Sequence, residues 1–276
     1  MYINTTYQAQ TAVGPVPRTK GSLTLSSKQV AGRSGIDRFR TSGAMKALFP
    51  RACDLQAILI NTSGGLTGGD QIDVAATAGM DSALTLTTQA AERAYRAQEG
   101  RARMTTVLSA AENAQITWLP QEMILFEGSA LDRSLTVDLA HSARFLMVEP
   151  IVFGRAAMGE ILTDVSLNDR IRINRAGRPL YWDGVNLDGH TMQHLARPAV
   201  AAGAGALVSL IYVAPDAEAH LRPLRDQLPE TGGVSLLAPD LLALRCVAAD
   251  SFDLRRTLIP ILERLTQDQL PTSWRL

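Results

Sequence analysis

The sequence predicts a mainly β protein with a few α-helices toward its C-terminus. Three observations carry this. Short segments alternate apolar and polar residues with a period of two. They recur at spacings of roughly 8 to 14 residues, separated by Gly-bearing turns and without helical patterns between them. Beyond about residue 186 the apolar spacing changes to steps of three and four. Closely spaced strands with no intervening helices argue against βαβ repeats and for a sandwich, a barrel or a solenoid of strands. No exact internal repeat is present, so a regular β-helix cannot be read from the residues alone.

The elements follow in order. Residues 1 to about 30 are polar and carry Pro15, Pro17 and Gly21, which suggests an irregular arm with a short strand at Ser22–Leu25. Ala57–Asn61 reads as a buried strand. Asp70–Ala76 sets Ile72, Val74 and Ala76 against Gln71, Asp73 and Ala75, and Ala83–Thr88 sets Leu84 and Leu86 against Thr85 and Thr87. Met104–Ser109, Ala114–Leu119, Leu135–Leu139, Arg144–Pro150, Asp169–Asn174 and Pro179–Trp182 continue the pattern. Asn186–Arg197 and Asp216–Gln227 look helical. Ser251–Asp268 is the clearest helix, with Leu254, Leu258, Ile261, Leu262 and Leu265 in one stripe and Ser251 or Asp253 available as a cap. Pro260 falls inside it and is expected to kink or split it. Gly205–Ala214 and Ser235–Val247 read as strands. The change near residue 186 brings no linker composition, so one domain over residues 1–276 is expected.

Composition limits the function classes. The 276 residues hold 27 basic and 27 acidic side chains, with 46% apolar and 20% charged residues. That is too apolar and too neutral for a disordered chain. Zero net charge supplies no general field for nucleic acid or an anionic membrane. The longest apolar stretch, Ala199–Ala214, is 16 residues of mostly Ala and Gly, too short to span a bilayer. The start lacks the charged-then-apolar pattern of a signal peptide, so a cytoplasmic location is expected. Cys53 and Cys246 have apolar neighbours and no CxxC partner, and read as buried free thiols of a reducing compartment. Lysine occurs only at Lys20, Lys28 and Lys46; the other 24 basic residues are Arg, most simply a genomic bias.

Four polar blocks stand out. The first, Asn61–Asp70, places two Gly pairs within six residues. It is not a phosphate loop, because Asp70-Gln71 stand where Lys and Ser/Thr would be needed. A tight strand–turn–strand connection is the plainer reading, with Asp70 capping the turn or facing a partner. The second, Thr87–Arg96, gathers Gln89, Glu92, Arg93 and Arg96, either as a network or interaction surface or as a solvated turn. The third, Trp118–Gly128, holds Glu122 and Glu127 in an apolar frame. On a strand they face opposite sides, which disfavours a catalytic carboxylate pair; each reads as a paired structural carboxylate, with a metal or partner contact as the alternative. The fourth, Gly154–Glu160, offers Arg155 for pairing with a carboxylate. His190 and His194 share a helix face, but Thr191 stands where an HExxH motif needs its Glu, so a surface pair is the simpler reading. Neither GxSxG nor a GxGxxG after a strand is present, and no complete catalytic constellation emerges.

In their order and spacing these blocks resemble the urease accessory protein family UreD, called UreH in some bacteria. The likeness lies in Ser63-Gly64-Gly65-Leu66-Thr67-Gly68-Gly69-Asp70, in Thr88–Arg96, in Trp118–Glu122 with Ile124-Leu125-Phe126, and in Gly154-Arg155 with Met158-Gly159-Glu160. It is strong over about residues 55–165; the C-terminal third matches in element pattern and in a terminal Trp, Trp274. The resemblance implies an irregular β-helical or stacked-sheet body with C-terminal helices. It implies a non-enzymatic scaffold that binds UreF and, through it, the GTPase UreG, docks on apo-urease, and helps deliver nickel through an internal passage. No tightly bound cofactor is implied, only transient nickel. Asp70, Glu92, Glu122, Glu127 and Glu160, with Arg96 and Arg155, are the expected ion-path or partner-contact residues. On that basis Ala at Asp70, Glu122 or Glu160 is expected to lower urease activation without unfolding. The C-terminal helices and Trp274 are either the partner face or core. The competing classes are a small-molecule enzyme using Glu122 or Glu127 as general base, and an adaptor domain with no metal role.

Overall fold

The computed structural model describes residues 17–155 and 158–275. The first described element is a hairpin, β1 (Lys20–Val30) and β2 (Arg33–Gly43). Its two-residue turn, Ala31-Gly32, has φ of 49° and 81°, the positive pair that matches strand twist. The expected irregular arm is therefore ordered strand from Lys20 onward, because Leu23 and Leu25 alternate inward along it; residues 1–16 lie outside the described residues. After β3 (Met45–Leu48) and β4 (Leu55–Asn61) the chain coils between two sheets. One sheet takes β5 (Gln71–Ala78), β8 (Ala102–Ala110), β11 (Ala130–Leu139) and β13 (Val165–Arg175). The other takes β6 (Ala83–Thr88), β9 (Gln115–Leu119) and β12 (Arg144–Phe153), with two short strands, β7 (Glu92–Ala94) and β10 (Met123–Leu125), beside β12.

Each sheet is thus parallel in its middle: β1, β5, β8, β11 and β13 in sheet A, and β4, β6, β9 and β12 in sheet B. Alternation between sheets is what lets strands run parallel without crossover helices. The body is a stacked-sheet coil with like positions above one another. Leu23, Val74, Thr106, Leu135 and Ile171 form one inward rung series. The coil needs apolar character only at these positions, which explains a solenoid without a sequence repeat.

Sheet A closes on β14 (Arg178–Gly189), which pairs antiparallel with β13. The expected helix over 186–197 is reduced to α1 (Thr191–Leu195), because Leu187 and Gly189 are taken into the β13 ladder. Sheet B is extended by β15 (Ala206–Val213), β16 (Gly232–Ala238) and β17 (Leu241–Ala248). The single strand expected over 235–247 is a hairpin, since Pro239 interrupts it.

Helices α2 (Ala217–Gln227) and α3 (Ser251–Leu265) cover the far face of sheet B. Sheet B therefore contributes to two cores, one against sheet A and one against the helices. Helix α3 runs unbroken through Pro260. A mid-helix proline costs about 3 kcal/mol. Five buried side chains, Leu254, Leu258, Ile261, Leu262 and Leu265, each contribute about 1.5–3 kcal/mol. Packing wins, and Pro260 faces solvent. The cap is Asp250, whose carboxylate accepts from the Asp253 N–H at 2.9 Å, one residue before the expected site. Trp274, in the turn Thr272–Trp274, is fully buried against this layer and its Nε1 donates to the Leu119 carbonyl at 3.0 Å. It is core. Of the two cysteines only Cys246 is buried, and burial pushes its thiol up; Cys53 is exposed in the connection before β4.

Candidate functional site

The four polar blocks become successive rungs of one ladder along the side of sheet B. The Leu66 N–H donates to the Arg93 carbonyl and the Tyr95 N–H to the Leu66 carbonyl, both at 2.7 Å. Strand β7 then pairs parallel with β10, setting Glu92 beside Met123, and β10 pairs parallel with β12, setting Met123 beside Ile151. The Gly154 N–H closes the series on the Leu125 carbonyl at 2.8 Å. The ladder thereby runs from Leu66 to Gly154 by way of Ala94 and Leu125. The glycines are required by the closeness of these rungs. Gly65 has φ of 153°, and any Cβ there would overlap the Tyr95 ring; a Cβ on Gly68 would overlap the Glu99 carbonyl.

Asp70 is buried and occupied. Its carboxylate accepts from the Thr19 N–H at 2.7 Å and from the Thr67 N–H at 2.8 Å, capping the Gly turn and anchoring the start of β1. Glu122 is equally committed. Arg255 of α3 grips it through Nε at 2.6 Å and Nη2 at 2.9 Å, and also reaches the Gln121 Oε1. The Gln121 amide donates to the Ser273 carbonyl at 3.1 Å, so this block ties the ladder to the C-terminal layer. Neither acid faces open space: Asp70 caps the turn, one of its two expected places, and Glu122 is a paired carboxylate.

Four of the expected residues, Arg96, Glu127, Arg155 and Glu160, do converge, in a surface hollow with Tyr95, Phe126, Met158 and Ile161. Glu127 accepts from the Thr163 N–H at 2.7 Å, the Thr163 hydroxyl at 2.6 Å and the Asp164 N–H at 3.2 Å, with Arg96 at 3.8 Å. Burial opposes ionisation of Glu127, but these donors outweigh it and hold the carboxyl below its usual range. Glu160 is forked onto Arg155, Nε and Nη2 each at 3.0 Å, and this pairing holds it low as well. The Arg155 guanidinium lies 4.4 Å from the Phe126 ring centroid, and Tyr95 meets that ring edge-on at 5.0 Å. The hollow combines fixed charge of both signs with exposed Met158 and Ile161, a composition suited to protein contact.

Glu92 occupies a different place. It lines a cavity of about 140 Å³ between the sheets, together with Asn61, Met45, Met104 and Trp118. Its carboxylate accepts from Asn61 Nδ2 and the Arg93 N–H, both at 3.0 Å, yet burial dominates and pushes its pKa up. The cavity reaches Arg133 and Glu149, which the sequence motifs did not single out. Arg133 of β11 bridges Glu149 of β12 at 2.7 Å and Asp169 of β13 at 2.6 and 2.9 Å. Burial works against the Arg133 charge, but the two carboxylates outweigh it and hold it protonated. Burial pushes Glu149 up, against the pull of Arg133 and of the Trp118 indole N–H at 2.8 Å. The signal was available: Arg133 is in phase with Leu131 and Leu135, and Asp169 with Leu167 and Ile171, so each charge had to point inward.

The site assembles no catalytic centre from its acids. Glu122 and Glu127, the bases of the enzyme alternative, have their oxygens engaged by fixed donors. His190 Nδ1 accepts from the Gln193 N–H at 3.3 Å as the cap of α1. Among the described residues, no group of three or more His, Cys, Asp or Glu side chains is placed to hold a metal ion. Among them also, no helix is long and apolar enough to cross a membrane.

Known proteins match this chain along most of its length. A family model described as UreD urease accessory protein matches residues 19–275. A urease accessory protein UreD of Roseobacter denitrificans is 52% identical over 262 residues, covering 94% of this chain and 96% of its own. A protein of the same name from Ruegeria sp. is 50% identical over 276 residues, covering 96% and 93%. Another, from Agrobacterium fabrum, is 41% identical over 262 residues, covering 94% and 92%.

Proposed function

The chain belongs to the UreD urease accessory protein family, and from that premise we propose that it delivers nickel to apo-urease as a scaffold joined to UreF and the GTPase UreG. Its role is in urease maturation and is accessory, not enzymatic. The observation that carries the reading is the match over residues 19–275, which takes in all four blocks of the ladder. Three features of the molecule support the finer assignment. The Gly-rich first block has Asp70 buried at its end and no Lys for phosphate, so GTP chemistry belongs to a partner. The hollow of Arg96, Glu127, Arg155 and Glu160 gives a partner a rigid mixed-charge surface. The cavity behind Glu92 offers oxygen ligands without a thiolate or imidazole cluster. That suits a divalent ion that has to move on, since a tight site would retain it. The setting is the cytoplasm, where reduced thiols and the partner proteins coexist.

The test is complementation. Cells that carry urease genes but lack their own UreD receive this chain, and urease activity and urease-bound nickel are measured. Restoration of both is expected. The Glu127→Ala, Glu160→Ala double variant is expected to stay folded and lose most of the activation by failing to co-purify with a partner. A soluble, folded wild-type chain that restores neither activity nor nickel would overturn the reading.

A further inference from the structure

The end of the body formed by β1 to β3 is unlike the rest of the surface. Sheet A ends on β2, whose outer edge has no strand beside it among the described residues, and sheet B ends nearby on the four-residue β3. Register places Phe39 opposite Leu25 and Ile36 opposite Ser27, so both point to the face that Leu25 and Ser27 bury. Beyond the last strands little covers them. Phe39 rests edge-on against Phe49 at 4.9 Å, yet Ile36 and Phe39 stay 41% and 42% exposed, and Leu48 is 56% exposed. The other face of β2 presents Arg33, Arg38 and Arg40, opposite Val30, Ser26 and Thr24.

The charge here has one sign. Residues 17–51 hold eight basic side chains, including all three lysines of the chain, and a single acid, Asp37. Lys28 and Arg38 already flank Asp37, at 3.3 and 3.9 Å. Among the described residues, Arg33, Arg40, Lys46 and Arg51 form no ion pair. Free edges are guarded against aggregation by charge, Lys above all, whereas the edge strand β2 carries three Arg and no Lys. The opposite edge of the same sheet, β14, mixes Arg178 with Asp183 and Asp188. A chain with zero net charge has therefore concentrated positive charge at one end and left an acidic excess elsewhere. Residues 1–16 carry no acidic side chain.

We propose that the β2 edge docks an extended, carboxylate-rich segment of a protein partner by strand addition. The bare main-chain edge of β2 supplies register, Arg33, Arg38 and Arg40 meet carboxylates, and Ile36 and Phe39 take apolar side chains. An eleven-residue strand edge fits another extended polypeptide, whereas a phosphate backbone would use only the arginines. The inference rests on the urease-maturation reading for the choice of probes alone.

Purified apo-urease, UreF and UreG are each titrated against the wild-type chain, R33E/R38E/R40E and R33K/R38K/R40K, at two salt concentrations. For one probe, affinity is expected to fall at least about tenfold in the Glu variant, to persist in the Lys variant and to weaken with salt. In that complex, β2 amides are expected to exchange more slowly than in the free chain. The single variant Arg38→Glu, with a smaller loss in the same direction, guards against a folding defect in the triple. Unchanged affinity of the Glu variant for every probe that the wild type binds would overturn the proposal. So would a loss confined to duplex DNA, to phosphatidylserine vesicles or to self-association. A wild-type chain that binds none of the three probes would instead overturn the functional reading beneath it.

Discussion

Glu92 is an acid whose burial outweighs its hydrogen bonds from Asn61 and Arg93. Its pKa is raised in the folded chain, so folding takes up a proton between the unfolded and folded values. The sign follows: its cost to stability is absent below the unfolded pKa, near 4.5, and grows as pH rises through the folded one. Glu92→Gln should therefore be at least as stable as wild type at pH 7 and indistinguishable from it near pH 3.5. Thermal melts across that range check this. The same substitution should reduce urease activation if Glu92 passes nickel, because a neutral amide is a poorer ligand for a divalent ion. Arg133 behaves oppositely. Arg133→Met would leave Glu149 and Asp169 buried without their cation and should cost about 3–5 kcal/mol, read in urea unfolding. Asp70→Ala frees two N–H donors, of Thr19 and Thr67, and should cost about 1–3 kcal/mol. This makes any loss of activation in that variant a stability effect, unlike the loss expected for Glu160→Ala.

At the scale of elements, two junctions hold the ladder in place. One is the Gly turn against β7. Gly65→Ala forces a side chain into a conformation open only to Gly and into the Tyr95 ring, and should destabilise by about 1–3 kcal/mol. The other is the C-terminal layer. Arg255 of α3 clamps Glu122, and its guanidinium lies 5.3 Å from the Trp274 ring centroid. Trp274→Ala removes a fully buried indole and should cost about 3–5 kcal/mol. If Trp274 works through packing, the variant's residual folded fraction should bind partners normally; isothermal titration at low temperature distinguishes this from a direct contact.

Across the whole molecule, the two cores share sheet B, so damage on the helical side is transmitted to the strands that carry the polar blocks. Hydrogen exchange should show this as a gradient. Protection should be greatest in β8, β9, β11 and β12, which lie in the middle of their sheets, and least in the β1–β2 hairpin at the open end. Uniform protection from β2 to β14 in the isolated chain would contradict it. Partner binding at that end should raise protection there first, which links the stability gradient to assembly.

The sequence by itself determined the β character, the inward residues of most strands and the two long C-terminal helices. These are local: alternation and helical stripes follow from how one segment meets one apolar layer. It also marked the four blocks, since paired glycines and acids in an apolar frame are visible without knowing their neighbours. Tertiary structure alone decided what the blocks do. For Asp70 the sequence left a turn cap and a partner contact open, and for Glu122 a paired structural carboxylate and a metal or partner contact; the groups that hold them, Thr19 and Arg255, lie 51 and 133 residues away. Arg133, Glu149 and Asp169 were individually inconspicuous until parallel stacking set them side by side. Pro260 read as a break and was overruled by five buried side chains. Strand pairing and ion pairing join residues by position in the coil, and the one-dimensional pattern records which way each residue faces but not what it faces.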